Sequence, residues 1–220
     1  MKGEGMKTLG SKMVATSLAV ALSGCALASV GTEPAPDLYV LTAPSPVMSE
    51  AAPATDLQLL VEKPFAPAAI DTNRIAIRPT PNEIRYYAGA RWTDRAPQMV
   101  QQLIVEALEN TGKFLAVGRR SAGLRSDYAL TGDLRSFGAE PSNGLSAAPV
   151  VRVEFNARLI RRQNNLIMAS KVFSAEVPAA SGDVGSVVKA FDAAVHEVLG
   201  DLSVWTLEQV QHPRRSAVRR

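Results

Sequence analysis

The chain has 220 residues, one cysteine and a formal net charge of +3. Its first 24 residues hold three of the lysines and one glutamate, so the rest carries 21 basic and 20 acidic residues. A nearly neutral body argues against nucleic-acid binding, and a single cysteine excludes an intramolecular disulfide. The length that remains after the N-terminal segment suits one domain.

The N-terminus has the pattern of a bacterial export signal. Its positive charges are Lys2, Lys7 and Lys12. The apolar stretch Met13–Leu22 is too short for a membrane-spanning helix, which needs about 20 residues. It ends in Leu22-Ser23-Gly24-Cys25, which resembles the lipobox of bacterial prolipoproteins. We therefore expect residues 1–24 to be a lipoprotein signal peptide and Cys25 to be the lipid attachment site; the alternative is a lone cysteine packed in a core.

Lipid on Cys25 would hold the chain at a membrane, since each buried methylene contributes about 0.8 kcal/mol and two or three acyl chains make attachment lasting. Residues 25–37 are mostly small and polar with prolines, as in a flexible tether, and residues 38–212 are predicted to form a single domain. The segment 213–220 is rich in arginine. We interpret it as a solvated basic tail, with contact to anionic lipid or an acidic partner as the alternative.

Short strands are predicted at the start of this domain. Leu38–Leu41 and Leu57–Val61 are apolar runs too short for helices. Arg74–Arg78 and Glu83–Tyr87 flank Pro79-Thr80-Pro81-Asn82, where two prolines and an asparagine favour a turn. This arrangement predicts two strands joined by a tight loop.

A helix follows, with apolar residues on one face at helical spacing. They are Val100, Leu103, Ile104, Ala107 and Leu108. Thr93 or Asp94 is the expected N-terminal cap, Pro97 is compatible with the first turn, and Gly112 is the expected end.

Four more strands are predicted, at Phe114–Val117, Tyr128–Leu134, Val151–Leu159 and Leu166–Phe173. The third has the clearest alternation of apolar and polar residues, which is typical of an antiparallel sheet with one face in water. Arg161–Asn165 is a polar turn that makes the last two strands hairpin partners.

A final amphipathic helix, capped by Ser181 or Asp183, carries an apolar stripe from Val184 to Leu202, and Gly200 is a point where it could bend. Two amphipathic helices each need an apolar surface, and a sheet with one apolar face provides it. The predicted fold class is therefore α+β, with two amphipathic helices packed on one face of a mostly antiparallel sheet.

The sequence offers no recognisable active site. His196 lies inside the final helix and His212 beside the tail, and neither has the spacing of a metal ligand. Glu106 and Glu109 share a helix face that a solvated surface explains better than a catalytic pair. There is no GxSxG elbow and no Walker A run. We predict a protein that is not an enzyme and needs no metal or cofactor.

Aromatic residues concentrate just before the first helix, in the stretch 86–92. Arginine and tryptophan are enriched at binding hot spots, so Arg91 and Trp92 are candidate partner contacts. Packing against the first helical turn is the alternative for Trp92. If the strand persists, Tyr86 and Tyr87 point to opposite faces, so at least one of them belongs to the core.

Several segments resemble the ABC-type transport auxiliary lipoprotein family, and together they cover most of the mature chain. They are Arg74–Arg78, Ile84–Ala88, Arg91–Asp94, Glu106–Gly112 and Tyr128–Arg135. Members of this family, similar to the lipoprotein of the paraquat-inducible Pqi system, accompany transporters built on MCE-domain proteins, which move lipids between the two membranes of diderm bacteria.

The resemblance implies a lipid-anchored protein that faces the periplasm from the outer membrane and docks or stabilises the periplasmic part of the transporter. The implied partners are an MCE-domain protein with its ABC permease and ATPase, and a homo-oligomer is expected to face the ring. Ala26 after Cys25 is compatible with outer-membrane sorting, and inner-membrane retention is the alternative. Two other functions stay open: an outer-membrane assembly lipoprotein that supports a barrel protein, and an envelope hydrolase.

Overall fold

A computed structural model describes residues 34–45, 53–120, 125–141 and 148–212. The predicted signal peptide, Cys25 and the basic tail lie outside these residues, so their assignments stay predictions. All helices and strands of the described chain belong to one unit that begins at Pro36.

The described residues form eight strands and two helices. The strands are β1 (Asp37–Tyr39), β2 (Gln58–Val61), β3 (Arg74–Thr80), β4 (Glu83–Trp92), β5 (Ala116–Gly118), β6 (Tyr128–Pro141), β7 (Pro149–Arg161) and β8 (Leu166–Pro178). The helices are α1 (Ala96–Asn110) and α2 (Val184–Gln211). Each predicted strand and helix overlaps one of these elements, and the α+β fold class is confirmed.

Strand β6, the longest at 14 residues, organises the sheet. One edge of β6 pairs with β7 along its length, and β7 in turn pairs with β8. The other edge of β6 is divided, because β2 pairs with its first residues and β3 pairs with Ala139 near its end. Beyond β2 lies β5, and beyond β3 lie β4 and then β1.

The sheet is mixed. The pairings β3–β4, β6–β7 and β7–β8 are antiparallel, whereas β1–β4, β2–β5, β2–β6 and β3–β6 are parallel. The two long antiparallel ladders hold most of the paired residues, in agreement with the prediction. The strands β1, β2 and β5 have only three or four residues each, too few to show an alternation that indicates the direction of a neighbour, so their parallel pairings were not predictable.

The two helices cover one face of this sheet, and the core lies between the helices and the sheet. The inward residues of β7 are each 2% exposed or less: Val151, Val153, Phe155, Ala157 and Leu159. They belong to one apolar cluster with Phe191 and Val198 of α2 and with Ile104 of α1. Complete burial of such a side chain contributes roughly 1.5–3 kcal/mol, so this layer is the main source of stability.

Gly132 allows β6 and β7 to pack closely in this layer. It pairs with Ala157, and a Cβ atom added to it would lie 2.4 Å from the carbonyl oxygen of Asn156 and 2.6 Å from Cζ of Phe155. The ring of Phe155 therefore occupies space that any other residue at position 132 would need.

Helix α1 begins without a side-chain cap. Its N-cap residue is Arg95, and the predicted caps Thr93 and Asp94 are wrong, because the carboxylate of Asp94 accepts the backbone N–H of Arg95 at 2.7 Å instead. Pro97 lies in the first turn as expected. After the helix, Gly112 adopts a φ of 62°, which confirms it as the permissive residue at this end.

Helix α2 begins at the predicted cap Asp183, whose Oδ1 accepts the N–H of Ser186 at 2.9 Å. The helix runs through Gly200, which is buried, and ends at Gln211. Neither helix of the described chain is long and apolar enough to cross a membrane.

Candidate functional site

Trp92, a candidate contact residue, lies in the core. Its side chain is 1% exposed. Its ring centre is 5.1 Å from that of Phe191 in an edge-to-face arrangement and 5.9 Å from that of Phe137. Its Nε1 is buried and has no hydrogen-bond partner within the described residues. Core packing accounts for its position, although the aromatic rings around it belong to β6 and α2 and not to the first turn of α1 that the sequence suggested.

Arg91 lies on the opposite side of β4 and is exposed. Its Nη1 donates to Oδ1 of Asn73 at 3.3 Å. In the parallel pairing of β1 with β4, Leu38 is the partner of Arg91, so both side chains project from the same face of the sheet. Leu38 is 66% exposed and Val40, two residues further on, is 64% exposed.

We call Leu38, Val40, Asn73 and Arg91 the β1–β4 surface. Two large apolar side chains in water beside a guanidinium form the kind of patch that protein partners or lipid surfaces cover. The sequence identified Arg91 but not its apolar neighbours, because Leu38–Leu41 has the composition of a buried strand. One feature of the sequence could have identified Leu38 and Val40 as surface residues. The apolar run Leu38–Leu41 is short and lies beside Asp37, which is typical of an edge strand.

The two tyrosines of β4 point to opposite faces, as predicted. Tyr87 packs against the core cluster, and burial is the main cause that raises the pKa of its hydroxyl, with the charge of Asp183 adding to it. Tyr86 lies on the other side, where Cζ of Arg74 is 3.7 Å from its ring centre. Arg74 is paired with Arg91 across β3 and β4, so this cation–π contact extends the basic character of the β1–β4 surface.

His196 contributes to a contact between α2 and the segment that follows β1. Its Nε2 lies 2.9 Å from Oγ1 of Thr42 and 3.1 Å from the carbonyl oxygen of the same residue. Asp192, one turn earlier, accepts the backbone N–H of Thr42 at 2.7 Å and its hydroxyl at 3.0 Å. We call Thr42, Asp192 and His196 the clasp.

The clasp does not have the geometry of a catalytic triad. In a triad the carboxylate binds the imidazole nitrogen that faces away from the nucleophile. Here Oδ2 of Asp192 lies 3.7 Å from Nε2 of His196, the nitrogen that already faces Thr42. Both side chains converge on Thr42 and hold the chain in place. Sequence reasoning missed the clasp because Thr42 is separated from Asp192 and His196 by 150 residues or more.

The face of the sheet opposite the helices is polar and carries ion pairs between neighbouring strands. They are Arg158–Asp133 at 3.0 Å, Arg152–Glu176 at 3.3 Å, Arg135–Glu154 at 3.5 Å and Arg78–Glu140 at 3.5 Å. Each is partly exposed and contributes at most about 1 kcal/mol. Their effect is to match charges locally and keep this face hydrated. Among the described residues no group of three or more His, Cys, Asp or Glu is placed to hold a metal ion.

Comparison with known proteins places this fold in a family. An uncharacterised protein of Bradyrhizobium diazoefficiens is 26% identical over 160 residues, which are 73% of this chain and 42% of that protein. The chain thus spans less than half the length of this curated relative. The crystal structure of protein XCC0632 from Xanthomonas campestris is 36% identical, with a TM-score of 0.69, and the match covers 81% of this chain and 95% of that one.

A further crystal structure, of an uncharacterised protein, shares the fold alone: it is 13% identical with a TM-score of 0.61, over 79% of this chain and 99% of that one. The model of the ABC-type transport auxiliary lipoprotein component matches residues 39–203, which include every strand from β2 onward and most of α2. The chain belongs to the family of ABC-type transport auxiliary lipoprotein components.

Proposed function

We propose that this protein is the non-enzymatic lipoprotein of an MCE-associated ABC transport system for lipids. Membership of the family makes it an auxiliary lipoprotein of an ABC-type transporter, attached to a membrane of the cell envelope. The proposal adds three points: lipid on Cys25, a location in the outer membrane facing the periplasm, and docking of an MCE-domain protein.

The observation that carries the proposal is the β1–β4 surface. Leu38 lies on β1, directly after the predicted tether, and Val40 follows the end of this strand; each is more than 60% exposed. A folded domain that leaves two such side chains in water beside Arg91 is suited to be covered by a partner. The clasp supports this view, because it fixes the chain just after Val40 and so limits how far the surface can shift.

The anchor is tested by labelling cells with a radioactive fatty acid. Wild-type protein should incorporate the label, whereas Cys25→Ser should leave an unlabelled precursor with its signal peptide uncleaved. Label that persists in Cys25→Ser would refute the assignment. Fractionation of the labelled cells then separates outer-membrane from inner-membrane attachment.

Docking is tested with protein that lacks the lipidated cysteine, by co-purification with the MCE-domain protein encoded nearby. Leu38→Ser and Arg91→Ala should each lower the yield of MCE protein without a change in melting temperature, because both side chains are exposed. Leu115→Ser is the matched control, since Leu115 is 62% exposed outside this surface. Equal losses for Leu115→Ser and Leu38→Ser would contradict the proposal.

The same experiment decides between the remaining alternatives. Wild-type protein that retains an outer-membrane barrel protein and no MCE protein would favour the assembly lipoprotein.

The mass of the captured complex tests whether the protein docks as a homo-oligomer, as a ring-shaped partner would favour. Trp92→Ala is measured together with these variants. Because Trp92 is buried, any loss of binding by this variant should be accompanied by a lower melting temperature.

A further inference from the structure

Most arginines in the described part of the chain are engaged by other side chains. Seven of them form ion pairs with carboxylates. Arg91 donates to Asn73, and Arg74 lies over the ring of Tyr86. The guanidinium groups that form no such contact within the described residues belong to Arg119, Arg125, Arg161 and Arg162.

Three of these four arginines line a single cleft of about 730 Å³. It lies at the end of the sheet where β6 begins and β7 ends, and its lining includes Arg125, Arg161 and Arg162. We call it the arginine cleft. A volume of this size is typical of a site for a small ligand or a lipid headgroup.

The lining holds three arginines and one acidic residue, Asp127, so it keeps a net charge of +2, and Asp127 forms no ion pair with these arginines within the described residues. Oδ2 of Asp127 accepts the backbone N–H of Gln58 at 2.8 Å, which holds the start of β2 against the start of β6. The carbonyl oxygen of Asp127 accepts the N–H of Arg162 at 2.9 Å, which fixes the backbone of the turn after β7. The walls of the cleft are therefore braced by the main chain, and its basic side chains remain free to bind an anion.

Because three arginines without side-chain partners in the described part of the chain line one cleft, we propose that the arginine cleft binds the phosphate group of an anionic phospholipid headgroup. Guanidinium forks match the oxygens of a phosphate in pairs, and three of them around one cleft offset the cost of removing its charge from water. The neutral donors Ser126 and Gln163 also line the cleft and suit the polar part of a headgroup.

The proposal that this cleft meets phospholipid in the cell rests on the proposed function, since a lipid transporter would present such headgroups to its auxiliary protein. Binding of the headgroup by the cleft does not depend on the proposed function. It is a property of the isolated chain and can be measured without a transporter.

The test uses the mature lipidated protein in an uncharged detergent, titrated calorimetrically with dihexanoyl-phosphatidylglycerol. Saturable binding is expected. The variant Arg161→Gln/Arg162→Gln should lose at least about tenfold in affinity, because each removed guanidinium takes with it charge-assisted hydrogen bonds. Arg119→Gln/Arg85→Gln is the matched control: it removes the same charge from two exposed positions outside the cleft and the β1–β4 surface, and it should bind like the wild type.

Two further probes identify the source of the phosphate. Inorganic phosphate that binds as tightly as the lipid would overturn the headgroup assignment in favour of a soluble anion. Dihexanoyl-phosphatidylcholine, which keeps the phosphate but is zwitterionic, should bind more weakly. Absence of saturable binding, or equal losses in the two double variants, would overturn the cleft itself. Neither result bears on docking, which is measured by co-purification.

Discussion

The backbone N–H of Thr42 donates to Oδ1 of Asp192 at 2.7 Å, across 150 residues of chain. This bond joins the segment after β1 to the middle of α2. Leu41, immediately before it, is 3% exposed and belongs to the core cluster. The clasp and this buried leucine together bind the N-terminal segment of the domain to its last helix, so that force applied to that segment is transmitted to the core.

Removal of the clasp carboxylate should loosen this segment. Asp192→Ala leaves the N–H of Thr42 without its acceptor and leaves the hydroxyl with His196 alone, and we expect a loss of about 1 kcal/mol in the free energy of unfolding. Hydrogen exchange at the Thr42 amide should become faster, because this amide has lost its acceptor. Asp201→Ala, an exposed position on the same helix, is the control. Unchanged exchange at Thr42 would show that the clasp does not hold the segment.

The adjacent residues Arg91 and Trp92 should respond in opposite ways to truncation. Trp92→Ala removes a fully buried indole between Phe137 and Phe191 and should cost about 3–5 kcal/mol of unfolding free energy. Trp92→Phe should cost much less, because it keeps an aromatic ring and removes the buried Nε1–H that has no partner. Arg91→Ala should stay within about 0.5 kcal/mol of wild type. Urea denaturation monitored by circular dichroism measures all three.

Gly132 should tolerate no side chain. Gly132→Ala places a methyl group within 2.6 Å of the Phe155 ring, and relief of this overlap should cost about 1–3 kcal/mol. Gly138→Ala is the matched control on the same strand, since its nearest neighbour would be the carbonyl oxygen of Ala76 at 3.7 Å, an ordinary contact. Similar midpoints of thermal unfolding for the two variants would contradict the close packing of β6 on β7.

The cap of α2 should make stability depend on acid pH. The hydrogen bond from the backbone of Ser186 is the main cause that lowers the pKa of Asp183 below its ordinary value of 3.8. Because the folded-state pKa is the lower one, the stabilisation is complete above pH 3.8 and is lost as pH falls through the folded-state value. Asp183→Asn keeps a capping oxygen without the charge.

The difference in melting temperature between wild type and Asp183→Asn should therefore shrink as the pH is lowered from about 5 to below the folded-state pKa. Asp201→Asn, on the exposed face of the same helix, serves as the reference for charge removal alone. A difference that does not change with pH would mean that the charge of Asp183 contributes nothing to the cap.

Local periodicity was enough to predict both helices and the buried face of β7. It was not enough for the length of β6, which was predicted to end at Leu134 and continues to Pro141. The register of β6 shifts between Leu134 and Ser136, so an extra residue reverses the alternation midway. A single period-2 pattern therefore fits only the first half of the strand.

The interaction sites depend on tertiary pairing that the sequence does not display. Arg91 was found because arginine beside tryptophan is a local signal, but its neighbour Leu38 comes from β1, more than 50 residues earlier. The arginine cleft likewise joins Arg125 to Arg161 and Arg162 only because β6 and β7 are antiparallel. Residues that meet through strand pairing are distant in sequence, and composition gives no indication of which arginines lack a partner.

The divided edge of β6 has a consequence for how the protein is made. Chains are synthesised from the N-terminus, and domains generally fold in that order. The neighbours of β2 are β5 and β6, both of which are made later. Pairing over such separations is slow, because loop closure precedes any gain from contacts. Leu59 and Leu60 therefore stay without strand partners until β5 is made, and Val61 until β6 is made. Until then this short apolar segment is exposed to other chains, and a holding chaperone that covers it would prevent aggregation.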